Sequence, residues 1–118
     1  MICTEYPIHS FCGFKTLIFD KKTCKTDKIF MISNKIIKQC HDLKRNGPAS
    51  LDICYVACGR YDGYYECDLK EWDYKAAKLI LEEAGGKITN WNGDNVLKGV
   101  NNILASNGKL HDKIMKFL

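Results

Sequence analysis

Apolar and polar positions repeat along the chain with two periods, and the switches between them mark its elements. The run F-K-T-L-I-F over residues 14–19 is short, apolar and rich in branched side chains, which predicts a strand. Residues 20–27 are polar and lysine-rich and read as a loop. Ile29, Ile32, Ile36 and Cys40 then recur at helical spacing, so residues 28–40 are expected to form an amphipathic helix with Asp27 as its N-cap. Residues 43–45 form a short extended segment before Gly47-Pro48, and Pro48 suits the first turn of the next helix. That helix, residues 49–58, carries Leu51, Cys54, Tyr55 and Cys58 on one stripe and Ile53, Val56 and Ala57 on another. Being apolar nearly all round, it is expected to be buried, and Gly59 to close it in the left-handed conformation.

The second half repeats the alternation. Residues 63–67, G-Y-Y-E-C, predict a strand with aromatic weight. Residues 73–84 predict a helix with Ala76, Ala77, Ile80, Leu81 and Ala84 on its packed face, ending on Gly85-Gly86. Short strands follow at 87–91 and 102–105 around an Asn92-Gly93 turn. A last amphipathic helix over 109–118 gathers Leu110, Ile114, Phe117 and Leu118. Strands alternating with helices define an α/β layered domain.

Composition narrows the class. The length of 118 residues suits one domain, and 46% apolar with 27% charged residues describes a globular core rather than a disordered tail. No apolar run of about 18 residues exists, so a membrane-spanning helix is not expected. Residues 1–13 lack a basic stretch followed by a long apolar run, so no signal peptide is expected either. The formal charge of +4 is uneven: nine basic residues face four acidic ones over 1–47, and nine face ten over 48–118. Only Arg45 and Arg60 are arginines, the residue that bidentate readout of bases or phosphates prefers. Scattered lysines read as a solvated face, and nucleic acid is not the expected partner.

Cys3, Cys12, Cys24, Cys40, Cys54, Cys58 and Cys67 are odd in number and contain no C-x-x-C pair, and His9, His41 and His111 stand isolated from them. Neither a disulfide framework nor a zinc site follows, and reduced thiols in the cytoplasm are expected.

Candidate chemistry concentrates in residues 66–86. Asp73 falls at a predicted helix start, where free N–H groups and the positive end of the helix dipole stabilise a carboxylate. A structural N-cap and a metal ligand both satisfy that position. The surrounding W-D-Y-K-A-A-K-L-I-L-E-E-A-G-G (72–86) resembles the C-terminal signature of the inositol monophosphatase family, W-D-x-A-A-G-x-x-I-x-x-E-A-G-G. The segment R-N-G-P-A-S-L-D-I-C-Y-V-A-C-G-R-Y-D-G-Y-Y-E (45–66) resembles the family's R-x-G-S-A-A-L-D-L-x-Y-V-A-x-G-x-x-D-G-Y-x-E, and I-L-A-S-N-G-K-L-H-D (103–112) its late strand and last helix.

This resemblance covers residues 42–118 and implies the fold of the family's C-terminal domain, a mixed sheet flanked by helices, with residues 1–41 an unmatched first strand and helix of the same domain. It also implies hydrolysis of inositol or sugar phosphate monoesters with Mg²⁺ ions, by the two-metal logic of in-line displacement. Carried over residue by residue, Asp73 matches a metal-binding carboxylate, Glu66 a residue that hydrogen-bonds substrate hydroxyls, and Gly47, Pro48 and Ala49 a segment that touches the substrate ring.

Two departures accompany the match. Pro48 replaces a hydroxyl residue and removes a backbone donor. Nothing in residues 1–42 matches the family's glutamate pair or its D-P-x-D-G-T motif, which carry most of the metal ligands. The expectation is therefore a C-terminal portion with an incomplete site, active only when another chain or subunit supplies the other half. The alternative is a non-catalytic interaction or oligomerisation module. Either leaves apolar surface that favours self-association, so a homo-oligomer is expected.

Overall fold

The protein is described from a computed structural model covering residues 11–12, 24–44, 48–96 and 102–118. Its elements are β1 (Phe11–Cys12), α1 (Cys24–Ile37), β2 (Leu43–Lys44), α2 (Ala49–Ala57), β3 (Gly63–Glu66), α3 (Glu71–Glu83), β4 (Lys87–Asn90), β5 (Ile103–Ser106) and α4 (His111–Met115). The strands form one mixed sheet in the order β2-β1-β3-β5-β4. β1 runs parallel to both β2 and β3, whereas β5 runs antiparallel to β3 and β4.

Strand alternation sends successive side chains to opposite faces, and both faces are covered. Tyr64 and its partner Ala105 turn to one side, with Ile53 and Val56 of α2 and Tyr74, Ala77 and Leu81 of α3. Tyr65 and its partner Leu104 turn to the other, with Ile29, Ile32 and Ile36 of α1 and Ile114 of α4. All four residues of β3 are buried for this reason. The α/β layered class and the mixed sheet read from the sequence are thus the observed architecture. Among the described residues no helix is long and apolar enough to cross a membrane.

Several expectations need correcting. α1 begins at Cys24, so Asp27 lies in its first turn instead of capping it, and the expected loop contributes a helical turn. A carboxylate inside the first turn still faces the positive end of the dipole, which is why the polar stretch extends the helix. α2 is not buried all round: Asp52, Ile53 and Val56 are buried, while Leu51 is 41% exposed. On α3 the packed face is Tyr74, Ala77 and Leu81, and Ala76, Ile80 and Ala84 are exposed. The aromatic Tyr74 anchors the helix and turns the packed face away from Ala76 and Ala84. α4 is shorter than expected, although Leu110 and Ile114 are buried as predicted. The strand expected over residues 14–19 lies outside the described residues.

Two glycines end helices as their position requires. Gly59 and Gly85 adopt φ of +82° and +85°. In each case the following N–H reaches back to the last turn, Arg60 to Tyr55 O at 2.9 Å and Gly86 to Leu81 O at 2.9 Å, the Schellman closure.

Candidate active site

The parallel trio β2, β1 and β3 points its carboxyl ends to one edge of the sheet, and in open α/β sheets that edge is where ligands bind. α2 starts shortly after β2 and α3 shortly after β3, and both pack on the same face. The topology therefore collects the start of α2, the end of β3 and the start of α3 at that edge.

Glu66 is the last residue of β3 and is 2% exposed. Its Oε1 accepts a hydrogen bond from the N–H of Cys67 at 3.2 Å. Asp68 follows at φ 59°, a left-handed conformation that aspartate tolerates better than most residues because its short polar side chain bonds locally. The chain then enters α3, with Lys70 as N-cap and Asp73 at the third helical position. The N–H of Asp73 donates to Lys70 O at 2.9 Å, and the N–H of Lys70 donates to Asp73 Oδ2 at 2.8 Å. This reciprocal pairing fixes the carboxylate of Asp73 at the positive end of the helix and leaves Oδ1 for another partner.

Pro48 is the N-cap of α2, extended at φ −66° and ψ 121°, and its carbonyl accepts the N–H of Asp52 at 3.1 Å. Ala49 is partly buried and packs against the core between these helices and the sheet. Gly47 lies outside the described residues. Of the candidates from sequence, the structure thus gathers Pro48, Ala49, Glu66 and Asp73 at one edge.

The same residues do not complete a magnesium site. Mg²⁺ demands near-octahedral oxygen ligation, and Asp73 offers one carboxylate with one oxygen already engaged. Among the described residues no group of three or more His, Cys, Asp or Glu side chains is placed to hold a metal ion. A shallow groove of about 240 Å³ along α3 includes neither Asp73 nor Glu66. Its charges are satisfied by the pairs Lys75–Glu71 at 3.3 Å and Lys78–Glu82 at 2.6 Å.

The capping and ligating roles of Asp73 can be separated. Asp73→Ala should cost about 1 kcal/mol through loss of the bond to Lys70 N–H, whereas Asp73→Asn keeps an acceptor and should cost less than half of that. Urea unfolding of the two variants checks this. Equal losses would mean that the charge, rather than the bond, holds the helix start.

His111 is a buried polar residue that sequence reasoning left isolated. Its Nε2 lies 2.8 Å from Thr89 Oγ1 of β4 and its Nδ1 2.8 Å from Ser106 Oγ of β5. Both ring nitrogens are used in tying α4 to the sheet. No local motif announces it, because the partners come from two strands.

The fold and the arrangement of this edge agree with the family that the motifs resemble. The model of the inositol monophosphatase family matches residues 4–118, and the chain belongs to that family. The Nus factor SuhB of Pasteurella multocida is 50% identical over 64 residues, which cover 54% of this chain and 24% of that protein. The structure overlays on the inositol monophosphatase of Anabaena with a TM-score of 0.80 at 30% identity, covering 97% of this chain and 45% of that one. It overlays on the extragenic suppressor protein suhB of Bartonella henselae with a TM-score of 0.81 at 29% identity, covering 93% and 40%. The chain therefore spans less than half the length of these solved relatives.

Proposed function

We propose that this chain supplies the C-terminal part of a phosphomonoesterase site, acting on inositol or sugar phosphates with Mg²⁺. In this reading Asp73 is one metal-binding carboxylate and Glu66 accepts hydrogen bonds from substrate hydroxyls. Gly47, Pro48 and Ala49 border the substrate ring at the start of α2. The observation that carries it is the placement of Glu66 and Asp73 at either end of one short connection, at the carboxyl edge of the parallel strands, in a member of this family. The remaining metal ligands come from outside these 118 residues, either a preceding half or a second subunit. Residues 1–41 belong to the same domain as 42–118, a division supported by the seating of β1 between β2 and β3. A cytoplasmic setting fits the free thiols of Cys40, Cys54 and Cys58.

A second reading is a non-catalytic interaction module. It is favoured by Pro48, which offers the substrate edge neither a hydroxyl nor an N–H donor, and by the name Nus factor borne by the Pasteurella relative.

A chimaera decides between them: this chain replaces the part of the Anabaena enzyme that it overlays, and phosphate release from inositol 1-phosphate is followed across a Mg²⁺ titration. The expected result is Mg²⁺-dependent release that Asp73→Asn lowers roughly 100-fold or more, since loss of a ligand removes several kcal/mol of transition-state stabilisation. A folded chimaera without activity would sink the catalytic reading in favour of the module. Release by the unfused chain would show that its own residues complete the site.

A further inference from the structure

α2 carries two thiols on one ridge. Cys54 lies inside the helix and Cys58 is its C-cap, four residues on, so the two side chains stand one above the other on the same face. Neither is in a disulfide, and solvent reaches both, Cys58 being exposed and Cys54 half-buried. The Cys58 thiol donates to Tyr55 O at 3.5 Å, which holds its sulfur against the last turn of α2.

Spacing decides what the pair can do. Side chains four apart on a helix have Cβ atoms about 5–6 Å apart, whereas a disulfide needs roughly 3.5–4.5 Å. A direct bond between the sulfurs therefore requires the end of α2 to unwind. An ion between them does not. A metal–thiolate bond is about 2.3 Å long, so two in line put the sulfurs about 4.6 Å apart, a separation that nearly parallel side chains reach.

The number of ligands selects the ion. Zinc takes four, and among the described residues no group of three or more His, Cys, Asp or Glu side chains is placed to hold an ion. Thiolates favour soft ions, and copper(I) is the soft ion that two thiolates in line satisfy. Two thiolates around one monovalent ion leave one negative charge. α2 has no basic residue in its last turn, but Arg60 follows, its guanidinium held 4.9 Å from the centroid of the Tyr55 ring. That fixed cation beside the end of the helix offsets the charge.

We propose that Cys54 and Cys58 form a two-thiolate copper(I) site on the face of α2. Binding takes up one Cu⁺, deprotonates both thiols and releases two protons, with no change of oxidation state. The bond from Cys58 to Tyr55 O is given up in the exchange. This inference is independent of whether the chain is catalytic.

Anaerobic titration of the 118-residue chain with Cu⁺, in competition with a chromophoric copper(I) chelator, tests it. Cys54→Ser and Cys58→Ser should each weaken the tightest equivalent roughly 100-fold or more, since the surviving thiol loses the high effective concentration of its partner. Cys40→Ser, off this helix, should leave that equivalent unchanged. Cys58 is exposed at the helix end, so its serine variant keeps the fold, which circular dichroism checks. X-ray absorption of the chain loaded with one equivalent should show two sulfur neighbours around copper. A tightest equivalent indifferent to Cys58→Ser would overturn the proposal. So would three sulfur neighbours, which would bring in a further cysteine.

Discussion

Acidification from pH 7 to pH 4 should remove about 3 kcal/mol of folding stability through His111 alone. The residue is 2% exposed, and its ring nitrogens face the hydroxyls of Thr89 and Ser106. Burial first, and then the charge of Lys87, lower its pKa to about 4 against the opposing pull of Asp112. In the unfolded chain the same imidazole titrates near 6.5. Above pH 6.5 it is neutral in both states, and its contribution to the fold is complete. Below that the unfolded chain takes up the proton first, so stability falls by up to about 1.4 kcal/mol per pH unit. The fall levels off once pH has passed the folded value of about 4. Urea unfolding at intervals across this range measures the slope, and His111→Gln isolates it from the carboxylates. The variant should start about 1 kcal/mol lower at pH 7, because one of the two buried hydroxyls loses its bond to the ring, and should then decline less steeply. Parallel declines in the two proteins would refute the assignment.

His111 also shows where the sequence stops being legible. Helices and strands with strong periodicity were readable: Ile29, Ile32 and Ile36 mark the packed face of α1, and Gly59 and Gly85 mark helix ends by their left-handed φ. Asp73 was readable as a carboxylate at a helix start, although the helix opens two residues earlier because Lys70 and Asp73 cap each other. Contacts between distant elements were not. The imidazole needs β4, β5 and α4 in place before its partners exist, and no spacing along the chain encodes that. β1 is only Phe11–Cys12, too short to carry a period, and its seat between β2 and β3 comes from pairing alone. On α3 the alanines mislead: Ala76 and Ala77 look equivalent, but only Ala77 shares a face with Tyr74 and Leu81. The metal set is illegible for a different reason, since one carboxylate with an engaged oxygen is compatible with several roles.

The same face of α3 carries the second large effect. Leu81→Ala should destabilise the chain by about 3 kcal/mol, within the roughly 2–5 kcal/mol range of buried leucine truncations. Leu81 is 0% exposed and lies in the core with Tyr74, Ala77, Ile88 and Ala105, so its removal leaves a cavity between helix and sheet. The neighbourhood has little room to collapse. A Cβ on Gly86 would stand 2.3 Å from Leu81 Cδ1 and 2.8 Å from Ser106 O, so the leucine already fills the space up to the backbone of β5. Leu81→Met, which nearly conserves volume, should cost less than about 1.5 kcal/mol. Midpoints of urea unfolding at fixed slope give both values. Hydrogen exchange adds the link to function: α3 is clamped to the sheet through Tyr74, Ala77 and Leu81, and its first turn holds Asp73. In Leu81→Ala the amides of α3 should exchange faster by the factor that the lost stability dictates, while those of α1, on the opposite face, change only where they exchange by global unfolding. Faster exchange that reached the first turn would mean that the position of the Asp73 carboxylate depends on packing two turns away. Exchange confined to the last turn of α3 would mean that the Lys70–Asp73 pairing holds the helix start by itself.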